Sequence, residues 1–255
     1  MPLFQIKGLT HFFGGLRAVC DFNLQLDGGE LRGLIGPNGA GKTTIFNLVC
    51  GVYKPTEGEI LYNESNLVGL RPHQITSQGI ARTFQNIRLW NGMTVLDNIR
   101  LAQHYRLRYG LLDAFFRTGR YWEREKEITK NAFELLEILG LRDYAHELAK
   151  NLPYGQQRRV EIARALAVRP RLLLLDEPAA GMNPAEIDEL MKFIQWVRKE
   201  FDLTIWIIEH QMPVIMGICE RIQVIDFGET IAEGTPEEIR GNSRVIEAYL
   251  GEEEM

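Results

Sequence analysis

Gly36-Pro37-Asn38-Gly39-Ala40-Gly41-Lys42-Thr43-Thr44 is a turn-forming run closed by a lysine and two hydroxyls. Glycines at this spacing let successive backbone N–H groups curl around an anion, which is the pattern of a loop that cradles phosphates. A helix opening near Lys42 points its unsatisfied N–H groups and positive dipole end at the same anion. Lys42 can reach terminal phosphates, and the Thr43 hydroxyl can ligate Mg²⁺. With glycine at about 7% of residues, four such specified positions coincide by chance in about 1% of chains of this length. The flanks lower that figure, because an apolar run precedes the loop and a helical pattern follows it.

Leu172-Leu173-Leu174-Leu175-Asp176-Glu177 supplies a second half. An apolar strand ending in adjacent carboxylates places Asp176 to hold a Mg²⁺ shell and Glu177 to orient and deprotonate an attacking water. Alone, the same run also reads as a buried strand stopping at a polar turn before Pro178. Beside a phosphate loop it reads as the metal and base half of a centre that hydrolyses Mg-ATP.

The elements that must position these residues follow from periodicity. Short apolar runs at 4–9, 22–26, 31–35 and 59–62 read as strands, partly in hairpins, with a helix from Lys42 to about Cys50. Residues 95–150 change character: Ile128, Phe133, Leu135, Leu136, Ile138 and Leu139 follow a mostly helical spacing, so this section is a subdomain or a large insertion. Strand-like runs return at 172–175, 204–208 and 222–225, separated by helical patterns at 184–201 and 213–219. That alternation predicts βαβ units and a mainly parallel sheet with continuously apolar strands. The expected fold is α/β: a P-loop NTPase core, an N-terminal antiparallel β section and a helical subdomain.

Composition narrows the function. The chain has 255 residues, of which 45% are hydrophobic and 25% charged, an ordinary folded profile. A net charge of -5 argues against a dedicated nucleic-acid binder, which needs a basic surplus to displace counterions. Cys20, Cys50 and Cys219 have neither paired nor metal-ligand spacing and read as small buried hydrophobes. The N-terminus lacks a secretory pattern, and no apolar run approaches the roughly 20 residues of a membrane helix. The expectation is a cytosolic chain, held at a membrane only through a partner. The acidic run at 252–254 reads as a solvated end.

Further motifs join these two. Arg82-Thr83-Phe84-Gln85, Leu152-Pro153-Tyr154-Gly155-Gln156-Gln157-Arg158, Ala179-Ala180-Gly181-Met182-Asn183 and Ile208-Glu209-His210 occur in that order along the chain. With them the full length resembles the nucleotide-binding subunits of ABC transporters. The resemblance implies one ABC ATPase domain over 1–255, with the helical subdomain inserted at about 86–165. It makes Gln85 a contact to Mg²⁺ and water that senses the transmembrane partner, His210 a γ-phosphate contact, Phe13 the aromatic that stacks on adenine, and Ala18 a further nucleotide contact. Residues 179–183 stand where this family has its D-loop.

The signature run at 152–158 implies a dimer, in which Tyr154, Gly155 and Gln156 meet the ATP held by a facing subunit. This sequence departs from the family pattern in two places. Pro153 replaces the usual signature serine and Tyr154 the first glycine, so the amides of Gly155 and Gln156 must carry more of that contact. Asn183 replaces the common D-loop aspartate.

Residues 151–164, 177–184, 234–240 and 248–251 are similar to the longer ATPase subunit of branched-chain (hydrophobic) amino-acid importers of bacteria and archaea. That resemblance implies a second ATPase subunit (homologous or a second copy), two permeases and an external substrate-binding protein, with the chain peripheral on the cytoplasmic face of the membrane. The segment 105–125 interleaves Leu111, Leu112, Phe115, Phe116, Tyr121 and Trp122 with Arg106, Arg108, Arg117, Arg120 and Arg124. It reads either as part of a socket for a permease or a face against lipid headgroups, or as an amphipathic piece packed on its own subdomain. A soluble ABC ATPase of translation or repair would bring two cassettes, a coiled coil or a basic surface. A GTPase would bring Asn/Thr-Lys-x-Asp, and a kinase would not need the Gln85, Gly155 and His210 set.

Overall fold

The computed structural model describes residues 1–104 and 111–253. The chain divides into two compact units, Met1–Gln85 with Arg171–Met255, and Asn86–Pro170. The first unit begins with β1 (Phe4–Phe13), β2 (Leu16–Leu26), β3 (Leu31–Ile35), α1 (Lys42–Val49), β4 (Glu57–Tyr62), β5 (Ser65–Asn66), α2 (Pro72–Gln78) and β6 (Ile80–Arg82). The second unit takes α3 (Val95–Gln103), α4 (Leu111–Phe116), α5 (Gly119–Ile138) and α6 (Tyr154–Leu166). The first resumes with β7 (Leu172–Asp176), α7 (Pro184–Glu200), β8 (Thr204–Ile208), α8 (Met212–Ile218), β9 (Arg221–Asp226), β10 (Glu229–Gly234), α9 (Pro236–Arg240) and α10 (Ser243–Glu253).

The strands of the first unit form two sheets. One is antiparallel in the order β2-β1-β4-β5; the other runs β10-β9-β3-β8-β7-β6 and is parallel except for the β9–β10 hairpin. Every residue of β3, β7 and β8 is buried, as expected of strands covered on both faces. β1 and β2 extend well past the short runs legible in the sequence. Their distal halves carry the exposed Phe12, Phe13 and Leu16, so the alternation that marks a half-buried strand is lost there. β6 spans only Ile80–Arg82 and has no period of its own to read.

One core joins both sheets to α1. It takes Phe4, Ile6, Phe22 and Leu24 from the antiparallel sheet, Ile45, Phe46 and Val49 from α1, and Leu34, Leu174, Trp206 and Ile208 from the parallel sheet. Trp206 is fully buried at its centre, with ring centroids 4.9 Å from Phe46, 6.1 Å from Phe4 and 6.2 Å from Phe22. The helix that opens the phosphate loop is therefore clamped by aromatic contact on its inner face.

In the second unit α3 packs on α5 and α6, burying Val95 and Ile99 with Ile128, Ala132 and Leu136 and with Val160 and Ala163. Thr94 and Thr118 cap α3 and α5 by accepting from Asp97 N–H and Tyr121 N–H. Part of the 105–125 segment, residues 105–110, lies outside the described residues. Phe115 and Phe116 at the end of α4 are exposed, as is Trp122 on α5.

Trp206→Ala opens a cavity where three aromatic rings meet and should cost about 3–5 kcal/mol. Trp122→Ala, at an exposed position, should stay within about 0.5 kcal/mol. Urea unfolding of both variants checks the contrast.

Candidate functional site

Strand register brings the two halves of the site to one edge. Leu34 of β3 and Asp176 of β7 both pair with Ile208 of β8, so the phosphate loop and the carboxylates leave the parallel sheet at the same level, on either side of β8. Strands lie about 4.8 Å apart, which puts the two chain segments roughly 10 Å apart. This is the carboxyl edge of a parallel sheet, where ligands of such folds bind.

The loop is built from backbone that side chains would block. A Cβ at Gly36 would overlap Ile225 O, and one at Gly41, which caps α1 at φ 103°, would lie 2.6 Å from Ala18 O. Gly228 of the β9–β10 turn meets the same Ala18 carbonyl, donates its N–H to Ala40 O at 3.0 Å and accepts from Cys20 N–H at 2.9 Å. The carbonyl of Ala18 thus shapes the loop from behind. Lys42 is buried, and its Nζ donates to Gly36 O at 2.6 Å and Pro37 O at 2.7 Å, which holds the ammonium inside the loop. Asn38, Gly39 and Thr43 are exposed, while Thr44 and Gly41 are half-buried. Phe13 is half-exposed and makes edge-to-face contacts with His11 at 4.7 Å and Tyr53 at 5.2 Å.

Asp176 sits at the end of β7 with a buried partner the sequence reading did not name. Arg82 donates to Asp176 Oδ2 at 2.7 Å and to Asn47 Oδ1 at 2.7 Å, and its guanidinium lies over the rings of Phe46 and Phe84. Both charged side chains are almost fully enclosed, at 6% and 3% exposure. Asp176 Oδ1 is buried and accepts no hydrogen bond among the described residues. That orphaned carboxylate oxygen, hard and anionic, fits a Mg²⁺ shell together with the exposed Thr43 hydroxyl.

Glu177 turns sharply out of the strand at φ 45°, a backbone conformation that non-glycine residues adopt at some cost, with its N–H donating to Ile208 O at 2.9 Å. The turn places its carboxylate between two other expected site residues. Gln85 Nε2 donates to Glu177 Oε2 at 2.7 Å, and His210 Nδ1 lies 3.5 Å from the same oxygen. Glu177 is mostly enclosed, whereas His210 is half-exposed. A carboxylate base, an amide that orients it and an imidazole within reach can activate a water and accept its proton.

Glu209, quoted in sequence only as the neighbour of His210, is fully buried. Its Oε1 accepts from Ala179 N–H at 2.7 Å and its Oε2 from His210 N–H at 3.1 Å and Gln211 N–H at 3.3 Å. Burial pushes its pKa up, and the hydrogen bonds from the Ala179, Gln211 and His210 N–H groups and the His210 charge oppose that. Arg82 and Glu209 shared one signal: each is charged beside an apolar strand, and a buried charge must find a partner. Burial also pushes the Cys50 thiol up to about 11.

The D-loop and signature positions gain local roles. Asn183 caps α7: its side chain accepts from Glu186 N–H at 3.0 Å, and the Glu186 carboxylate accepts Asn183 N–H at 2.9 Å, a capping box followed by Pro184. An amide oxygen performs that task as well as a carboxylate. In the second unit α6 starts at Tyr154 with Pro153 at its N-cap, and the first intrahelical bond is Gln157 N–H to Pro153 O. The N–H groups of Tyr154, Gly155 and Gln156 thus form the helix's first turn. The buried pair Arg158–Glu161, 2.7 Å, fixes that turn, because Arg158 also donates to Tyr154 Oη at 3.3 Å and Glu161 accepts Arg88 N–H at 3.2 Å.

With this geometry in view, comparison with known proteins is specific. Residues 19–180 match the family described as ABC transporter, and 229–255 match one described as branched-chain amino acid ATP-binding cassette transporter. The high-affinity branched-chain amino acid transport ATP-binding protein LivG of Escherichia coli is 48% identical, with 98% of each chain covered. BraF of Pseudomonas aeruginosa, described in the same words, is 46% identical over the same shares. Among solved structures, an ATP-binding cassette of an ABC transporter in its ADP conformation superposes with a TM-score of 0.86 at 29% identity, covering 98% of this chain and 99% of that one. A dimeric cassette in a post-hydrolysis state with ADP and Pi gives 0.75 at 28% identity, covering 91% and 98%.

Removing one partner of a buried ion pair leaves the other charge uncompensated, so Arg82→Ala should destabilise the fold by about 3–5 kcal/mol. Arg17→Ala, which breaks the exposed pair with Glu229, should cost about 1 kcal/mol or less. Chemical denaturation of the two variants under one condition distinguishes them.

Proposed function

The chain belongs to the ABC transporter family of ATP-binding cassettes and is an ATPase, and from that premise we propose that it is the energy-coupling subunit of an importer of branched-chain or similar hydrophobic amino acids. The convergence of Gln85 and His210 on Glu177, on the same sheet edge as the phosphate loop, carries the hydrolytic half of the reading, and the match of residues 229–255 together with the likeness to LivG supports the transport half.

In this reading residues 36–44 hold the triphosphate through backbone amides, and Lys42 sits against its terminal phosphates. Phe13 stacks on adenine, with Ala18 behind the loop. Thr43, Gln85 and Asp176 Oδ1 would hold Mg²⁺, which would supply positive charge to offset that of the triphosphate. Glu177 accepts the proton of the attacking water, Gln85 fixes the carboxylate's orientation, and His210 faces the γ-phosphate.

The cassette works as a pair. The first turn of α6 offers the amides of Tyr154, Gly155 and Gln156 to the nucleotide of a second ATPase subunit, a homologous partner or a second copy. The dimeric solved cassette supports such an assembly. No helix among the described residues is long and apolar enough to cross a membrane; in this reading two permease subunits and an external binding protein complete the importer. The chain then lies peripherally on the cytoplasmic face. Phe115 and Phe116, exposed and edge-on at 5.1 Å, form part of the permease-docking face.

Glu177→Gln should lower ATP turnover by roughly 10² to 10⁴ while nucleotide still binds, and ATP-loaded dimers should accumulate on size-exclusion chromatography; unimpaired turnover would contradict the assignment of the base. Replacing Phe115 and Phe116 with Ala should reduce co-purification with the permeases and leave nucleotide affinity unchanged. An unaltered yield of complex would remove that face from the interface.

A further inference from the structure

Glu209 makes hydrogen bonds that neither nucleotide binding nor strand pairing requires. Its buried carboxylate lies between two segments that carry different parts of the site. On one side Ala179, two residues beyond Glu177, donates its N–H to Oε1 at 2.7 Å. On the other, the N–H groups of His210 and Gln211 donate to Oε2 at 3.1 and 3.3 Å. Gln211 Nε2 returns to Ala179 O at 3.0 Å and closes a ring. Glu177 N–H to Ile208 O, 2.9 Å, ties the same two segments one step earlier.

We infer that Glu209 is a positioning residue that locks the segment bearing Glu177 to the segment bearing His210, so that base and imidazole keep their approach as one rigid pair. The inference rests on the assignment of Glu177 and His210 made above.

The chemistry of the cluster explains why the residue is a carboxylate. All of its backbone partners are donors, and only an ionised carboxyl presents two acceptor oxygens to them. A glutamine of the same shape would offer one oxygen and turn an N–H donor toward another donor. Burying a carboxylate is costly, and a segment that needed only to pack would be served by an apolar side chain. The three N–H groups offset that cost, and they come from both sides of the junction. Loss of the acceptor at Oε1 releases Ala179, and with it the turn in which Glu177 holds its left-handed backbone.

The test compares the full chain with Glu209→Gln, Gln211→Ala and Glu177→Gln, reading kcat, nucleotide affinity by fluorescence titration, and amide hydrogen exchange. In Glu209→Gln kcat should fall roughly 10- to 100-fold, the worth of hydrogen bonds to a charged group, with nucleotide affinity unchanged. The amides of Ala179, His210 and Gln211 should lose protection together, which a role confined to the 209–211 turn would not produce. Gln211→Ala removes one rung at a half-buried position and keeps the test open if Glu209→Gln fails to fold. It should lower kcat by roughly 3- to 10-fold, with faster exchange at Ala179. An unchanged kcat in Glu209→Gln, or in Gln211→Ala if that is the variant that folds, or undisturbed protection at Ala179, would overturn the lock while leaving the base assignment intact. Normal turnover in Glu177→Gln would instead overturn the base assignment and the lock with it.

Discussion

Everything at this site depends on the register of three buried parallel strands. Ile208 of β8 pairs with Leu34 on one side and Asp176 on the other, and its carbonyl accepts the N–H of Glu177. One residue therefore sets the level at which the phosphate loop, the carboxylates and His210 leave the sheet. A slip of one residue along β7 would turn Asp176 to the other face and carry Glu177 away from Gln85. The apolar core around Trp206 makes such a slip costly, since Leu174 and Trp206 are register partners and both are buried.

Around that register the protein buries charge. Arg82–Asp176, Arg158–Glu161 and Glu209 are enclosed, and each is matched by an opposite charge or by N–H donors. Such groups add little net stability, because desolvation cancels most of the attraction, but they admit few alternative geometries. Arg82 illustrates the gain. By taking Asp176 Oδ2 it leaves Oδ1 as the carboxylate's remaining acceptor, so the residue can face a cation in one way only. The left-handed backbone at Glu177 is a second constraint of this kind, held by hydrogen bonds on both sides of the turn.

Much of this was legible in the residues. The loop at 36–44 announces itself by glycine spacing, and helix α1 begins at Lys42 as that spacing requires. The continuous apolar runs ending at Asp176 and Ile208 are the all-buried strands of a parallel sheet. Other features had no local signal. The distal parts of β1 and β2 carry the exposed Phe12, Phe13 and Leu16 without alternation, and β6 is too short for periodicity. The pairing of Arg82 with Asp176 spans 94 residues and follows only from the adjacency of β6 and β7. Asn183 stood out as a departure from a family pattern, yet its neighbours Pro184 and Glu186 spell a helix start, and that local task accounts for it.

The central claim is that adenosine triphosphate with magnesium sits in the amide nest opening α1 and is held there by Lys42. Isothermal titration of the full chain with Mg-ATP measures it most directly. Saturable uptake of one nucleotide per chain, lost when Lys42 is replaced by Ala, is the result this account predicts. Absence of uptake by the folded wild-type chain, or uptake indifferent to Lys42, would contradict it.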